Sequence, residues 1–172
     1  MSVEIKQITN ANVYLDGRSF LGKTEEIKLP EVVTTMVEHK ALGMVGKLEL
    51  PSGIDKMEST QKWNSLYPDV LMKAANPFQA VQLQCRSSME TYGGGGRLSQ
   101  VPVVVFMTGT FKKFPMGNYK QHDNVEAETT MNITYLRLVV DGKEIVEVDV
   151  LSNIYKVGGL DLLAEYRKNI GG

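Results

Sequence analysis

The 172-residue chain has one cysteine, two histidines and one tryptophan, and neither charge is in real surplus. A lone thiol, Cys85, excludes a disulfide within the chain and a zinc site built from cysteines. Cys85 ends the alternating segment 80–85, with no histidine or helix start beside it. It therefore reads as a small apolar strand residue and not as a nucleophile. His39 and His122 are far apart, and no HExxH pattern or GxSxG elbow exists. Lys and Arg total 19 against 20 for Asp and Glu, a net charge of -1. The basic excess on which tight nucleic-acid binding draws is missing. No apolar run approaches the ~20 residues of a membrane helix. The start, MSVEIK, lacks the basic-then-apolar order of a signal peptide. The expectation is a soluble protein made in a cytoplasm, without membrane insertion, cofactor, metal or catalytic residues.

What is present is alternation. Hydrophobic residues make up 42% and charged residues 23%, ordinary values for a globular chain able to bury a core. In 125–135 the odd positions are Val125, Ala127, Thr129, Met131, Ile133 and Tyr135, and the even ones are Glu126, Glu128, Thr130, Asn132 and Thr134. That period of two marks a strand with one apolar and one polar face, and it assigns Met131, Ile133 and Tyr135 to the core. An apolar run over 135–140 continues it. Asp141-Gly142 then reads as a two-residue hairpin turn, with 143–151 as the return strand. Segments 80–89 and 101–114 are further strands, joined through the tetraglycine 93–96 as a flexible hairpin tip over about 90–98. Segment 57–63 alternates weakly, and Trp63 within it is read as packing. Asp16-Gly17 is a second turn, between 12–15 and 20–29. Two helices are expected. One spans 68–75, with Pro68 at its first position and Pro77 beyond its end. The other spans 160–169, with Asp161 in the first turn and Arg167 and Lys168 in the last.

Residues 30–55 follow neither period. Exposed-looking Met36, Met44 and Val45, with Gly43 and Gly46, suit an extended arm that orders against a neighbouring subunit. The string GMVGKL (43–48) has too short a glycine spacing for a phosphate loop and no Ser or Thr after Lys47. The tetraglycine lacks the spacing and following helix of a dinucleotide fold. The remaining constellation is the polar face of the long strands: Gln82, Gln84, Thr108, Thr110, Lys112, Glu126, Glu128, Thr130 and Asn132. It is either an ordinary wetted face or, in a ring, the lining of a water-filled channel. The fold class is mainly β (α+β), an antiparallel sandwich or partly closed barrel with two short helices and an extended arm, as one domain over 1–172.

Several segments together resemble the tube proteins of contractile phage tails and R-type pyocins. They are TYLRLVVDGKE (134–144) with VEVDVL (146–151), and the ending GGLDLLAEYRKNIG (158–171). NVYLDGRSFLG (12–22), the polar strand ending in Leu29-Pro30, the Gly43-Met44 pair and FPMGNYKQ (114–121) match more loosely but in consistent order. The tetraglycine hairpin departs from the family by its length. The resemblance implies a structural subunit, not an enzyme. Its hexameric rings would stack into a hollow tube within a contractile sheath. Candidate lumen residues are the polar-face set, and candidate inter-ring contacts are Met36, Gly43, Met44, Val45 and Gly46. Implied partners are further copies, the sheath protein, a tape measure protein, the baseplate or tail terminator, and DNA passing without sequence-specific binding. The place would be the virion tail, assembled in the host cytoplasm. A DNA-free pyocin-like or secretion tube is an alternative, and a monomeric ligand-binding β-barrel a more distant one.

Overall fold

Antiparallel pairing dominates the computed structural model, which describes residues 3–172. The strands before the first helix are β1 (Ile5–Gln7), β2 (Ala11–Leu15), β3 (Arg18–Ser19), β4 (Thr24–Lys28), β5 (Thr34–His39), β6 (Leu48–Ile54) and β7 (Met57–Trp63). After α1 (Pro68–Ala74) come β8 (Val81–Gly93), β9 (Gly96–Phe111), β10 (Ala127–Val140), β11 (Lys143–Asp149), β12 (Ile154–Val157), β13 (Leu160–Asp161) and α2 (Ala164–Asn169). Eleven strands form one sheet along the path β13-β12-β11-β10-β9-β8-β2-β3, with β1 beside β8 and the pair β4–β7 branching from β10. The sheet is open, not a closed barrel. Strands β5 and β6 form a separate two-stranded sheet.

Both expected two-residue turns are present. Asp16 and Gly17 have φ of 45° and 79°, and Asp141 and Gly142 have 51° and 72°, the left-handed pair that such turns require. The first helix runs as read, with Pro68 at its start and Val70 and Ala74 buried.

The second helix is shorter than expected. Leu160 and Asp161 pair as a strand with Val157 and Lys156, because Gly158 and Gly159 take positive φ and reverse the chain there. Asp161 accepts the Leu163 N–H (3.0 Å) and holds Arg167 (2.5 Å), so the acid precedes the helix instead of lying in its first turn. None of α2 is buried. The tetraglycine is only half a turn: Gly93 pairs with Gly96, and Gly94 and Gly95 alone connect the strands.

Strand β10 carries the architecture. Its first half pairs with β7 and its second half with β11 along the same edge, while β9 lines the other edge. The change of partner coincides with a bulge between Ile133 and Tyr135. A bulge inserts one residue and so reverses which parity faces inward. Ala127, Thr129, Met131 and Ile133 are buried before it, and Leu136 after it. Tyr135 therefore leaves the core, contrary to uninterrupted alternation. Opposite the bulge stands Gly109, paired with Ile133 on one side and Val81 on the other.

One apolar cluster joins Val13, Leu15, Leu83, Val105, Met107, Phe111, Met131, Leu136 and Val148 across the sheet. Phe20 packs edge-on to Trp63, with ring centroids 5.4 Å apart. The weak alternation of β7 is strict in space: Met57, Ser59, Gln61 and Trp63 are all buried. Two of those four are polar, which hid the pattern. They survive burial because a hydrogen-bond chain satisfies them. The Trp63 indole N–H donates to Thr129 Oγ1 (2.9 Å), whose hydroxyl donates to Gln61 Oε1 (2.9 Å). The Gln61 amide donates to Ser59 Oγ (2.8 Å), and the Ser59 hydroxyl donates to the Lys28 carbonyl (2.9 Å).

Candidate assembly surfaces

Register decides which polar side chains meet, because residues directly opposite one another share a face. Gln82 lies opposite Thr108, and Asn132 opposite Thr110. Glu128, Thr130 and Asn132 lie opposite Lys62, Thr60 and Glu58 of β7. The Lys112 N–H donates to the Thr130 carbonyl (2.9 Å), and Glu126 bridges to Asn118. Gln84 sits opposite Phe106. The whole set of Gln82, Gln84, Thr108, Thr110, Lys112, Glu126, Glu128, Thr130 and Asn132 is thus brought to the face away from the core. None of its members is buried.

Most charges of this face pair among themselves; Lys28, opposite Thr60, and Arg86, bonded to Gln84, have no carboxylate at ion-pair distance among the described residues. Lys62 meets Glu26 (2.9 Å) and Lys113 meets Glu128 (2.7 Å). Glu58 receives both Lys112 and Lys56, the latter at 3.0 Å. Arg137 meets Glu144 (2.8 Å), and Lys156 meets Glu147 (2.7 Å). Hydrogen bonds from Lys112 and Lys56 hold the Glu58 carboxyl below the usual carboxylate value, and the bond from Lys113 does the same for Glu128. Tyr135, turned to this face by the bulge, donates to Glu147 (3.0 Å). Burial and that carboxylate push its hydroxyl up to about 12. The β7 contribution, Glu58, Thr60 and Lys62, was not singled out in the sequence. Its signal was the same period of two, obscured by the buried Ser59 and Gln61.

The arm is not irregular. Residues 34–54 form a β-hairpin, with Gly43, Met44, Val45 and Gly46 in the loop at its tip and Met36 on β5. Separate short stretches, Pro51 and the loop glycines broke the period in sequence. Register places Val37 opposite Leu50 and His39 opposite Leu48. One face of the hairpin therefore carries Val37, Leu48 and Leu50. The other carries Met36, Glu38, Glu49 and Pro51. Val37, Leu48 and Leu50 are 56%, 44% and 47% exposed, and sequence reading had missed all three. A further apolar edge, Leu151, Leu160, Leu162, Tyr166 and Ile170, is exposed around β13 and α2. Isolated apolar side chains on a surface are ordinary, but contiguous ones mark contacts.

Known proteins share this sequence and this fold. The chain is 32% identical over 164 residues to the tail tube protein of Escherichia phage P2, covering 93% of this chain and 94% of that one. It is 26% identical to the major tail tube protein of Serratia phage KSP20, covering 91% and 90%. The fold resembles a chain in the extended sheath–tube complex of an extracellular contractile injection system, PVC. The TM-score is 0.54 at 8% identity, over 76% of this chain and 86% of that one. It also resembles a chain in the sheath/tube terminator structure of that system, with a TM-score of 0.52 at 10% identity, over 76% and 91%. Residues 5–171 match the family described as phage tail tube protein FII, and the chain belongs to that family.

Proposed function

We propose that this chain is the ring-forming subunit of a contractile tail tube, and that the polar face of β7 to β10 lines its lumen. Hexameric rings stack into a hollow tube, with the sheath protein outside and a tape measure protein within during assembly. The baseplate and the tail terminator close its two ends. The tube belongs to the virion and is assembled in the bacterial host cytoplasm, and DNA crosses it during ejection. The observation that carries the lumen assignment is the pairing of most cations on that face with its own carboxylates, Lys28 and Arg86 excepted. A channel for a polyanion must not hold phosphates, and each phosphate contact requires a cation free to displace counterions. Lys62, Lys112, Lys113, Arg137 and Lys156 are each engaged by a carboxylate instead. The exposed apolar hairpin and C-terminal edge support the assembly part of the reading.

Negative-stain electron microscopy across a protein concentration series tests assembly. Rings or hollow tubes with a central channel are expected at high concentration. Globules of one protomer's size throughout, even with a nucleating tail end added, would end the reading. The lumen part has its own test. The double variant Glu58→Gln/Glu128→Gln frees Lys112, Lys56 and Lys113. It is expected to bind fluorescent double-stranded DNA at low salt at least several-fold more tightly than the parent protein. A charge-matched control, Glu4→Gln/Glu31→Gln, changes the net charge equally but elsewhere and is expected to remain near the parent. Equal gains in both variants would mean that net charge, not local pairing, keeps DNA off.

A further inference from the structure

Arg86 and Lys28 stand apart from the other cations of the polar face. Lys62, Lys112, Lys113, Arg137 and Lys156 each reach a carboxylate of their own chain. Arg86 and Lys28 are exposed and reach none among the described residues. A cation already paired offers a phosphate little, because the phosphate must first displace the carboxylate. A free one gives up only loosely held counterions.

Arg86 is also held in place. It follows Gln82 and Gln84 on the same side of β8, since alternate strand residues share a face. Its guanidinium lies 5.2 Å from the centre of the Tyr14 ring. Its Nε and Nη2 both donate to Gln84 Oε1, at 3.3 and 3.1 Å. Ring and amide are uncharged, so they fix the plane of the group without neutralising it. Nη1 has no hydrogen-bond partner among the described residues. The residues opposite Arg86 on the adjacent strands are Asn12 and Val104, neither of them acidic. The product is an oriented cationic fork with one side unengaged. A planar guanidinium is less strongly hydrated than an ammonium and suits a phosphate oxygen. Lys28 is the looser of the two. It stands opposite Thr60, itself opposite Thr130, and no ring or side-chain bond orients its ammonium among the described residues.

We infer that Arg86 is the point at which the channel wall touches a nucleic-acid backbone, its Nη1 donating to a phosphodiester oxygen, with Lys28 as a second and looser contact. The assignment rests on the lumen reading above and deepens it, by separating the groups of that face that meet a phosphate from those that do not. Phosphate contacts carry no base information, so the duplex is touched without regard to sequence. Isolated, exposed contacts of this kind are screened by salt and exchange readily, which suits a wall past which DNA moves.

DNA binding by the full chain tests it, below the concentration at which the chain assembles, so that the face is open. The probe is a short fluorescent duplex of mixed sequence, followed by anisotropy from low to physiological salt. Arg86→Gln is expected to weaken binding several-fold at low salt. It is also expected to reduce the slope of log affinity against log salt by about 0.9, the signature of one lost phosphate contact. Lys28→Gln is expected to act in the same direction but less, and Arg86→Lys to fall between Arg86→Gln and the parent. Lys6→Gln is the control. Lys6 is exposed and lies opposite Thr91, so it sits on the other side of the sheet, and the change in net charge is the same. Equal losses in Arg86→Gln and Lys6→Gln would mean that only net charge is felt, and the inference fails. No loss in Arg86→Gln, while Glu58→Gln/Glu128→Gln still gains, would overturn the inference and leave the lumen reading standing. No response from either would overturn both. Microscopy of Arg86→Gln at high concentration adds a further arm, and tubes like those of the parent are expected. Their loss would mean that a carboxylate of a second copy answers Arg86, which also overturns the phosphate contact.

Discussion

Gly109→Ala is expected to cost at least ~3 kcal/mol of folding stability, and to yield little soluble protein. The reason is space, not backbone conformation. A Cβ built on Gly109 would lie 2.1 Å from the Asn132 carbonyl oxygen, 2.9 Å from its carbon and 3.0 Å from the Ile133 Cα. All three atoms are backbone in the central strand β10, so no rotamer can relieve the contact. The bulge brings β10 this close, and the bulge also aims Tyr135 and Arg137 at the polar face. Relief by spreading the strands would break the β9–β10 ladder at the point where β10 changes partner from β7 to β11. Urea unfolding followed by circular dichroism measures the loss. Thr110→Ala, at the neighbouring half-buried position on the polar face, is expected to stay within ~1 kcal/mol. If Gly109→Ala unfolds at the same urea concentration as the parent, the close approach is not a constraint.

Thr129→Val is expected to cost about 3 kcal/mol, although it keeps size and shape and adds apolar surface. The hydroxyl of Thr129 receives the Trp63 indole N–H and donates to Gln61, and all three side chains are fully or almost fully buried. Removing it leaves a buried donor and a buried acceptor without partners, each a cost of roughly 1–3 kcal/mol. For a chain of this length the melting temperature would fall by roughly 6–12 °C. Thr129→Ser retains the hydroxyl and is expected to recover most of the loss. The Trp63→Phe/Thr129→Val double variant would show the coupling directly, because the orphaned indole donor is gone. Additive losses in that cycle would mean that the chain of bonds contributes nothing beyond packing.

Legibility followed period and turn chemistry. Strands β8 to β11 were readable because alternation ran through them for many residues. The two hairpin turns were readable because adjacent positive φ angles favour Asp and Gly. The first helix announced itself through Pro68 and Pro77. The hairpin β5–β6 was not readable, since its strands are short, contain Pro51, and pair only with each other. The polar-face set lies away from the core as alternation implied, and sequence reading missed its neighbours on that face, among them the β7 residues Glu58, Thr60 and Lys62. There, burial of Ser59 and Gln61 defeats any rule that equates polar with exposed. Met36 and the loop residues Gly43, Met44, Val45 and Gly46 stood out in the sequence by their glycines and exposed-looking side chains, whereas the face carrying Val37, Leu48 and Leu50 did not.

By itself the sequence determined the mainly β class, the two-residue turns, the lack of a locally spaced catalytic or metal-binding motif, and the parity of each uninterrupted strand. These depend on neighbours within a few residues, where spacing alone sets which side chains share a face. Only the tertiary structure decided the rest. It located the bulge that turns Tyr135 outward, the close approach that requires Gly109, and the carboxylates that pair with Lys62, Lys112, Lys113 and Lys156. It also decided that 34–54, within the stretch that follows neither period, is a hairpin. Each of these rests on contact between residues distant along the chain, such as Gly109 with Asn132 and Thr129 with Trp63. Such contacts depend on how strands are paired and in what register, which local spacing does not encode.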